Sequence, residues 1–260
     1  MGNEVLRRMR TFWHFCVFFF MVVLVQPLSG FEEISRLNLT PVSKLRPGSA
    51  VVEIQHRFYG LAFEDPVNTF FGTTSGTAIG IGSHIGILPN ACLHVNYTKS
   101  AYSQEYILGG SYQLPTSLLG SVQAGLDLIH QKPQGLSDRQ NTVFVQMTGE
   151  LPITMTFLES LTLRNFCINL AYDGYTKKMG GGYGFHIPVS DDLYFVWETI
   201  FSTGVSGPKD SIAFGLSGET FGHHFKLLLQ NQPGIGLRQC LMGSTTNDLS
   251  LGFTIERQFE

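Results

Sequence analysis

The last thirteen residues alternate between apolar and polar side chains, and this pattern constrains the fold more than any other feature. Every second residue from Leu249 to Phe259 is apolar, with the exception of Arg257, and the residues between them are polar or glycine. Such a period of two is typical of a β-strand with one apolar and one polar face. At the end of an exported chain it indicates a transmembrane β-barrel, whose apolar face contacts lipid and whose polar face lines the lumen.

The first thirty residues have the layout of a secretory signal peptide. Several arginines precede a strongly apolar run over residues 11–25, and small residues follow a proline close to Gly30. The alternative is an uncleaved membrane anchor, but the run has about fifteen residues, whereas a spanning helix needs roughly twenty. We therefore expect a cleaved signal peptide over residues 1–30 and export of the rest of the chain.

The composition fits a barrel whose exterior touches lipid. Charged residues make up only 14% of the chain, whereas an ordinary soluble domain has about 25%. The 29 glycines and 21 phenylalanines are numerous, and the formal net charge of −3 gives no basic surface for nucleic acid. A soluble exported β-sandwich remains the alternative fold.

About twelve strand-like runs follow residue 50, and the connections between them alternate between long and short. Outer-membrane barrels show this alternation because their periplasmic turns are short and their outer loops are long. The connection over residues 152–159 departs from it. Residues 31–49 are predicted to form an irregular periplasmic lead-in, since prolines interrupt them. Residues 50–260 are predicted to form an all-β domain, a transmembrane antiparallel up-and-down β-barrel of about 12 strands in the bacterial outer membrane.

Three short segments carry motifs of a known family. Residues 53–60 read EIQHRFYG, residues 192–198 read DLYFVWE, and residues 222–232 read GHHFKLLLQNQ. They resemble the hRFg, dxLylvaEy and GgHxFxLxxsNsxg segments of an uncharacterised bacterial outer-membrane β-barrel family, a domain-of-unknown-function family. The chain departs from this pattern at Tyr59, inserted before a glycine, and at His223, which replaces a glycine. The resemblance implies a barrel and an outer-membrane location, and it implies no activity.

The inward faces of the predicted strands define a set of candidate lumen-lining residues with an acidic bias. These are Glu53, Gln55, Arg57, Glu105, Asp127, Glu198, Glu219, Lys226 and Glu256. An open lumen of this kind would favour cations or polar cationic solutes. The alternative is a plugged lumen in which Glu53 pairs with Arg57 and Glu219 pairs with Lys226. A barrel of about twelve strands lies between the small filled barrels and the wide porins, so strand number does not decide.

The sequence therefore predicts a passive, porin-like pore for small polar solutes. A second hypothesis is a structural or interaction barrel with a closed lumen, whose outer loops at residues 63–75 and 233–247 form the contact surfaces. A third is a membrane-embedded hydrolase. The expected partners are outer-membrane lipids and the barrel-assembly machinery, which would recognise the C-terminal strand that ends at Phe259.

Catalytic and metal motifs are weak, so the sequence favours a protein that is not an enzyme. There is no G-x-S-x-G elbow, and Ser83 and His84 point to opposite faces of one strand, although a pair across two strands remains open. His223 and His224 also face opposite sides, so His56, His84, His223 and His224 are interpreted as wall and turn residues. We expect no cofactor and no metal site.

The exported chain keeps three cysteines, Cys92, Cys167 and Cys240. Their spacings match no zinc pattern. An odd number leaves at least one thiol outside any internal disulfide, and the sequence does not say which of them pair.

Overall fold

The computed structural model describes residues 36–43, 45–63, 76–101, 103–114, 120–151, 155–158, 161–220 and 222–260. These residues form thirteen β-strands and one short helix. They are β1 (Ala50–Leu61), β2 (Thr77–Leu88), β3 (Ala91–Lys99), β4 (Ser103–Leu114), β5 (Ser121–Pro133), β6 (Gln140–Leu151), β7 (Met155–Leu158), β8 (Leu161–Asp173), β9 (Lys178–Ser190), β10 (Leu193–Ile200), β11 (Ser211–Thr220), β12 (His223–Gln230), α1 (Gly236–Cys240) and β13 (Ser250–Phe259).

Twelve of these strands close into a single antiparallel barrel. Strands β1 to β6 pair in chain order, β6 pairs with β8, and β8 to β13 continue in order until β13 pairs with β1. The closing register runs from Ala50 opposite Phe259 to Arg57 opposite Gly252. Closure matters because an open sheet edge cannot exist in lipid. The prediction of a transmembrane barrel of about twelve antiparallel strands is confirmed, and the β-sandwich alternative is wrong.

The two rims of the barrel differ in their connections. The terminal rim, where Ala50 lies opposite Phe259, carries the tight turns at residues 89–90 and 191–192. The opposite rim, here called the loop rim, carries longer connections such as residues 231–249. The irregular connection at residues 152–159 contains β7, which forms a short hairpin with the beginning of β8. This extra hairpin explains why that connection breaks the alternation of lengths.

The barrel wall is apolar outside and polar inside. On β5, Leu126 and Leu128 point outward and are 51% and 54% exposed, whereas Gln123 and Asp127 point inward and are buried. This reversal of the soluble pattern is expected when the outer surface meets lipid. Among the described residues no helix has both the length and the apolar character needed to cross a membrane.

Residues 36–43 and 45–49, here called the N-terminal insert, run through the lumen to the end of β2, where residues 46–48 are exposed. Leu37 and Leu39 are wholly buried there, and Gly48 and Ser49 exchange backbone hydrogen bonds with Gly86 at the end of β2. A Cβ atom at Gly86 would lie 2.2 Å from the carbonyl oxygen of Arg46, so the close approach of the insert to β2 requires glycine at this position.

The sequence predicts an irregular segment here, and the described residues of the insert contain neither helix nor strand. The predicted periplasmic position is wrong for them, because the apolar side chains of Leu37, Leu39, Val42 and Leu45 are buried within the barrel. The predicted signal peptide, residues 1–30, lies outside the described residues.

Residues 231–249, here called the inner loop, fold back from the loop rim into the barrel. Helix α1 lies in this loop, and Leu237, Arg238, Gln239 and Cys240 are all buried. The prediction that residues 233–247 form an outer contact surface is therefore wrong for most of this stretch, since residues 237–244 are buried, although Thr245 and Asn247 are exposed. Residues 64–75 of the other predicted contact loop lie outside the described part of the chain.

The N-terminal insert and the inner loop meet inside the barrel, in the half nearer the loop rim. Leu39 from the insert clusters with Leu237, Cys240 and Leu241 from the inner loop, and wall residues of β5, β6, β8 and β10 complete this cluster. A second apolar cluster joins Leu37 to the walls of β10, β11 and β12. The two segments thus form one internal plug, which these apolar contacts stabilise.

Candidate functional site in the barrel lumen

The predicted lumen-lining residues lie inside the barrel. Eight of them are buried, namely Glu53, Gln55, Arg57, Glu105, Asp127, Glu198, Lys226 and Glu256, and Glu219 is half-buried. The structure divides most of them among four groups: contacts to the N-terminal insert, contacts to the inner loop, the wall of a cavity, and a cluster near the terminal rim. Their role in transport stays a prediction.

Wall side chains hold the N-terminal insert through its backbone. The carboxylate of Glu198 accepts hydrogen bonds from the amides of Leu37 and Asn38, each at 2.8 Å, and from that of Leu39 at 3.3 Å. The side-chain oxygens of Asn169 and Gln123 accept hydrogen bonds from the amides of Thr40 and Ser43, each at 2.8 Å. These acceptors replace the water that would otherwise satisfy an irregular backbone.

Arg57 links the insert to the wall. Its guanidinium donates to the carbonyl oxygens of Leu37, at 2.9 Å, and Phe253, at 2.8 Å. The nearby carboxylate of Glu53 accepts a hydrogen bond from Gln55 at 2.7 Å and lies 3.6 Å from His84. The predicted Glu53–Arg57 pair is wrong, because the insert supplies the backbone carbonyl to which Arg57 donates.

One arginine anchors the inner loop. The guanidinium of Arg238 lies 2.7 Å from Glu105, 3.0 Å from Asp173 and 2.8 Å from Gln131, and so bridges three wall strands. Burial by itself lowers the pKa of Arg238, but the carboxylates of Glu105 and Asp173 outweigh it and leave the pKa above its ordinary value. The guanidinium therefore stays charged, and each of its three nitrogens donates one hydrogen bond to a different wall side chain, two of them charge-assisted.

A polar cavity of about 120 Å³ remains between the plug and the wall formed by β1 to β6. His94 and Asp127 lie 2.8 Å apart in its lining, and the ring of His84 stacks on that of His94 with centroids 5.0 Å apart. Gly109 makes room for this pair, since a Cβ atom there would lie 2.2 Å from both side chains.

Four polar atoms of residues that line the cavity are buried and have no hydrogen-bond partner among the described residues. They are the side-chain oxygens of Asn38, Ser43, Gln55 and Asn96. Buried polar atoms are normally paired with protein or with water. Unpaired acceptors at the edge of a polar cavity therefore favour a space that takes up water or a small solute with hydrogen-bond donors.

A fourth group lies near the terminal rim, on β11, β12 and β13. Ser217 Oγ lies 2.6 Å from His224 Nε2, and His224 Nδ1 lies 3.5 Å from Glu256 Oε2. Lys226 Nζ lies 2.8 Å from the other oxygen of Glu256. Sequence reasoning missed the pair of Ser217 and His224.

The hairpin register is the signal that could have revealed this pair. The short turn after β11 sets Ser217 opposite Lys226 and Glu219 opposite His224. Ser217 and His224 are thus diagonal neighbours on the inward face, and such neighbours lie within reach of each other.

The remaining histidines and the cysteines have other surroundings. His223 contacts Arg257, and His56 packs against Phe58 and Phe253. In the described part of the chain, no three histidine, cysteine or acidic side chains are arranged to hold a metal ion. Cys92, Cys167 and Cys240 are buried free thiols.

Comparison with solved structures identifies the class of fold. The chain is similar to a KdgM porin, with a TM-score of 0.52, 9% identity, and coverage of 81% of this chain and 99% of the porin. It is likewise similar to a KdgM porin in complex with disordered oligogalacturonate, with a TM-score of 0.53, 10% identity and the same coverage. The protein therefore has the fold of a transmembrane porin-type barrel. Neither a family model nor a curated protein matches it.

Proposed function

We propose that this protein is a channel of the bacterial outer membrane for small polar solutes, closed in the present conformation by its internal plug. The observation that carries the proposal is the cavity beside the β1–β6 wall. Most of its lining residues are polar, it lies between the plug and this wall, and its lining includes acceptors without partners among the described residues. Displacement of the inner loop would extend this cavity toward the loop rim.

The outer-membrane location rests on the wall and on the fold. The outward faces are apolar over strand after strand, and two structures with the same fold are porins by name. Barrels of this type present an apolar band to lipid and a polar interior to solute. The terminal strand that ends at Phe259 is the proposed recognition signal for the barrel-assembly machinery.

The charge of the cavity favours cationic solutes. Glu53, Glu105 and Asp127 supply three carboxylates to its lining, of which Glu105 is paired with the anchored guanidinium of Arg238. The other basic side chains among the described lining residues are the imidazoles of His84 and His94. Fixed charges on a narrow lining select the permeating ion by sign. Replacement of both Glu53 and Asp127 by their amides should reduce the preference for K⁺ over Cl⁻ in bi-ionic reversal potentials.

The test is conductance of the refolded chain, residues 31–260, in planar bilayers. A variant in which a short Gly-Ser linker replaces residues 233–247 removes the inner loop while leaving β12 and β13 intact. We expect rare, small openings of the natural chain and stable, larger steps from the shortened variant. Heat-modifiable gel migration checks that each barrel has folded, and a folded shortened barrel without steps would contradict the proposal.

A second candidate function is a closed barrel that acts as a structural or interaction protein. The observation that favours it is the buried Arg238 anchor, which ties the inner loop to Glu105 and Asp173. Under this hypothesis neither the natural chain nor the shortened variant conducts. The same pair of recordings therefore separates the two functions.

A further inference from the structure

We propose that Ser217, His224 and Glu256 form a hydrolytic site that cleaves small water-soluble carboxylic esters. The site lies on the β11–β13 wall, and none of its three residues lines the cavity assigned to the channel. It is therefore independent of the proposed transport function and can be tested with the plug in place.

The three side chains have the order of a nucleophile, a base and a group that orients the base. Ser217 Oγ and His224 Nε2 lie 2.6 Å apart, which is hydrogen-bond distance. On the far side of the ring, Nδ1 lies 3.5 Å from Glu256 Oε2. This second distance is long for a hydrogen bond, and such contacts are often looser before substrate binds. The arrangement is recognised by geometry and roles, whatever the order of the residues in the chain.

Glu256 can serve two partners because each of its oxygens contacts a different one. Oε1 lies 2.8 Å from Lys226 Nζ, and Oε2 faces His224. Lys226 pairs with the buried Glu256 side chain, and it stands directly opposite Ser217 in the β11–β12 register. An ammonium at this position is suited to stabilise negative charge that develops on a carbonyl oxygen attacked by Ser217.

The reaction needs only the ester and water. Ser217 Oγ attacks the carbonyl carbon while its proton passes to His224 Nε2. The carbon–oxygen bond to the alcohol then breaks, and the same proton leaves with the alcohol. Water attacks the acyl group on Ser217 and gives a proton to Nε2, and this proton returns to Ser217 as the carboxylic acid departs.

The position of the site selects the substrate class. The three side chains point into the barrel, away from the apolar outer face, so acyl chains in the surrounding bilayer do not reach them. Deeper in the lumen, Leu228 and its apolar neighbours already pack against Leu37, which leaves no apolar slot for a long acyl chain. Because Ser217 and Glu256 are buried, we assign to this site only short-chain esters, which would have to reach it from the terminal rim.

The first test uses the refolded barrel with p-nitrophenyl acetate and a rhodamine-tagged fluorophosphonate. We expect ester turnover and a single covalent label, and Ser217→Ala should remove the label and lower kcat about 1,000-fold or more. Ser250→Ala is the matched control, because Ser250 is a buried serine of the neighbouring wall whose hydroxyl donates to a backbone carbonyl. Equal turnover and labelling of the natural chain and Ser217→Ala, or none in either folded barrel, would overturn the proposal.

The second test separates positioning from folding. Glu256→Gln keeps the size of the side chain but loses the charge that orients His224, so kcat should fall at least about 100-fold with KM nearly unchanged. Glu256→Asp should recover part of this loss. If His224→Asn and Glu256→Gln both fold, migrate as heat-modifiable barrels and retain full kcat, the residues are only a structural network and the proposal fails.

Discussion

The two segments that fill the barrel are held in opposite ways. The N-terminal insert is recognised through its backbone, because Glu198, Asn169 and Gln123 accept hydrogen bonds from its amides. The inner loop is held through a side chain, since Arg238 contacts two carboxylates and an amide of the wall. The insert also has side-chain contacts, such as that of Asn38 with Gln230, and the loop has backbone contacts, such as that of Cys240 with Ser211. The array of amide acceptors nevertheless distinguishes the insert, and the buried guanidinium distinguishes the loop.

This difference indicates which segment can move. An amide array held by several wall residues releases only when many contacts break together. The loop has one charged anchor, and its other polar contacts include the hydrogen bonds that Ser211 and Thr203 donate to the carbonyl oxygens of Cys240 and Leu241. Loss of the anchor leaves two buried carboxylates behind. The inner loop, which enters from the loop rim, is therefore the part of the plug that we expect to control opening.

Replacement of Arg238 by methionine should have the largest effect, because it removes the charged anchor of the inner loop. It leaves the carboxylates of Glu105 and Asp173 buried without their cation, which costs the closed conformation about 3–5 kcal/mol. We expect the loop to leave the lumen and the conductance to approach that of the shortened variant. Arg139→Met, at an exposed loop arginine, is the matched control and should leave conductance unchanged.

Cys240 reports the same opening chemically. Burial raises the pKa of its thiol to about 12, so it is protonated and unreactive while the loop is inside. In a background with Cys92→Ser and Cys167→Ser, a charged maleimide should label Cys240 quickly only when Arg238 has been replaced. Equal labelling rates with arginine and methionine at position 238 would show that this anchor does not hold the loop.

Replacement of Glu198 by alanine should have the next largest effect. Three backbone amides of the insert lose their acceptor. Hydrogen bonds to a charged group contribute about 1.5–3 kcal/mol each to stability, but removal of a buried charge offsets part of this loss. We expect the free energy of unfolding in phospholipid vesicles to fall by about 2–3 kcal/mol. Glu198→Gln keeps one acceptor oxygen and should lose about half as much, and an unchanged unfolding midpoint for both would contradict backbone recognition.

The barrel itself could be predicted from the sequence because apolar and polar side chains alternate along its strands with a period of two. Glu105, Asp127 and Glu198 followed from that alternation alone, and all three are buried in the lumen. The plug could not be predicted in this way. Its apolar residues, such as Leu37 and Leu237, stand in irregular segments without a period, and only the folded wall shows where they pack.

The contacts between side chains were harder still to predict than the faces. Ser217 and His224 are seven residues apart and meet because one turn sets the register of β11 and β12. A register shift by a single residue would move the lumen-facing side chains of one strand to its lipid-facing side. A strand pattern specifies which way a side chain points, but the hairpin register decides which partner it finds.

The smallest expected effect concerns a single residue of the N-terminal insert, Ser43, whose backbone and side chain can be tested separately. Gln123 accepts a hydrogen bond from the Ser43 amide, while the Ser43 hydroxyl has no partner among the described residues. Gln123→Ala should therefore cost about 1 kcal/mol of unfolding free energy, and Ser43→Ala should cost nothing measurable in the same vesicle assay. If Ser43→Ala were the more damaging change, the side chains of the insert, and not its backbone, would be what the wall recognises.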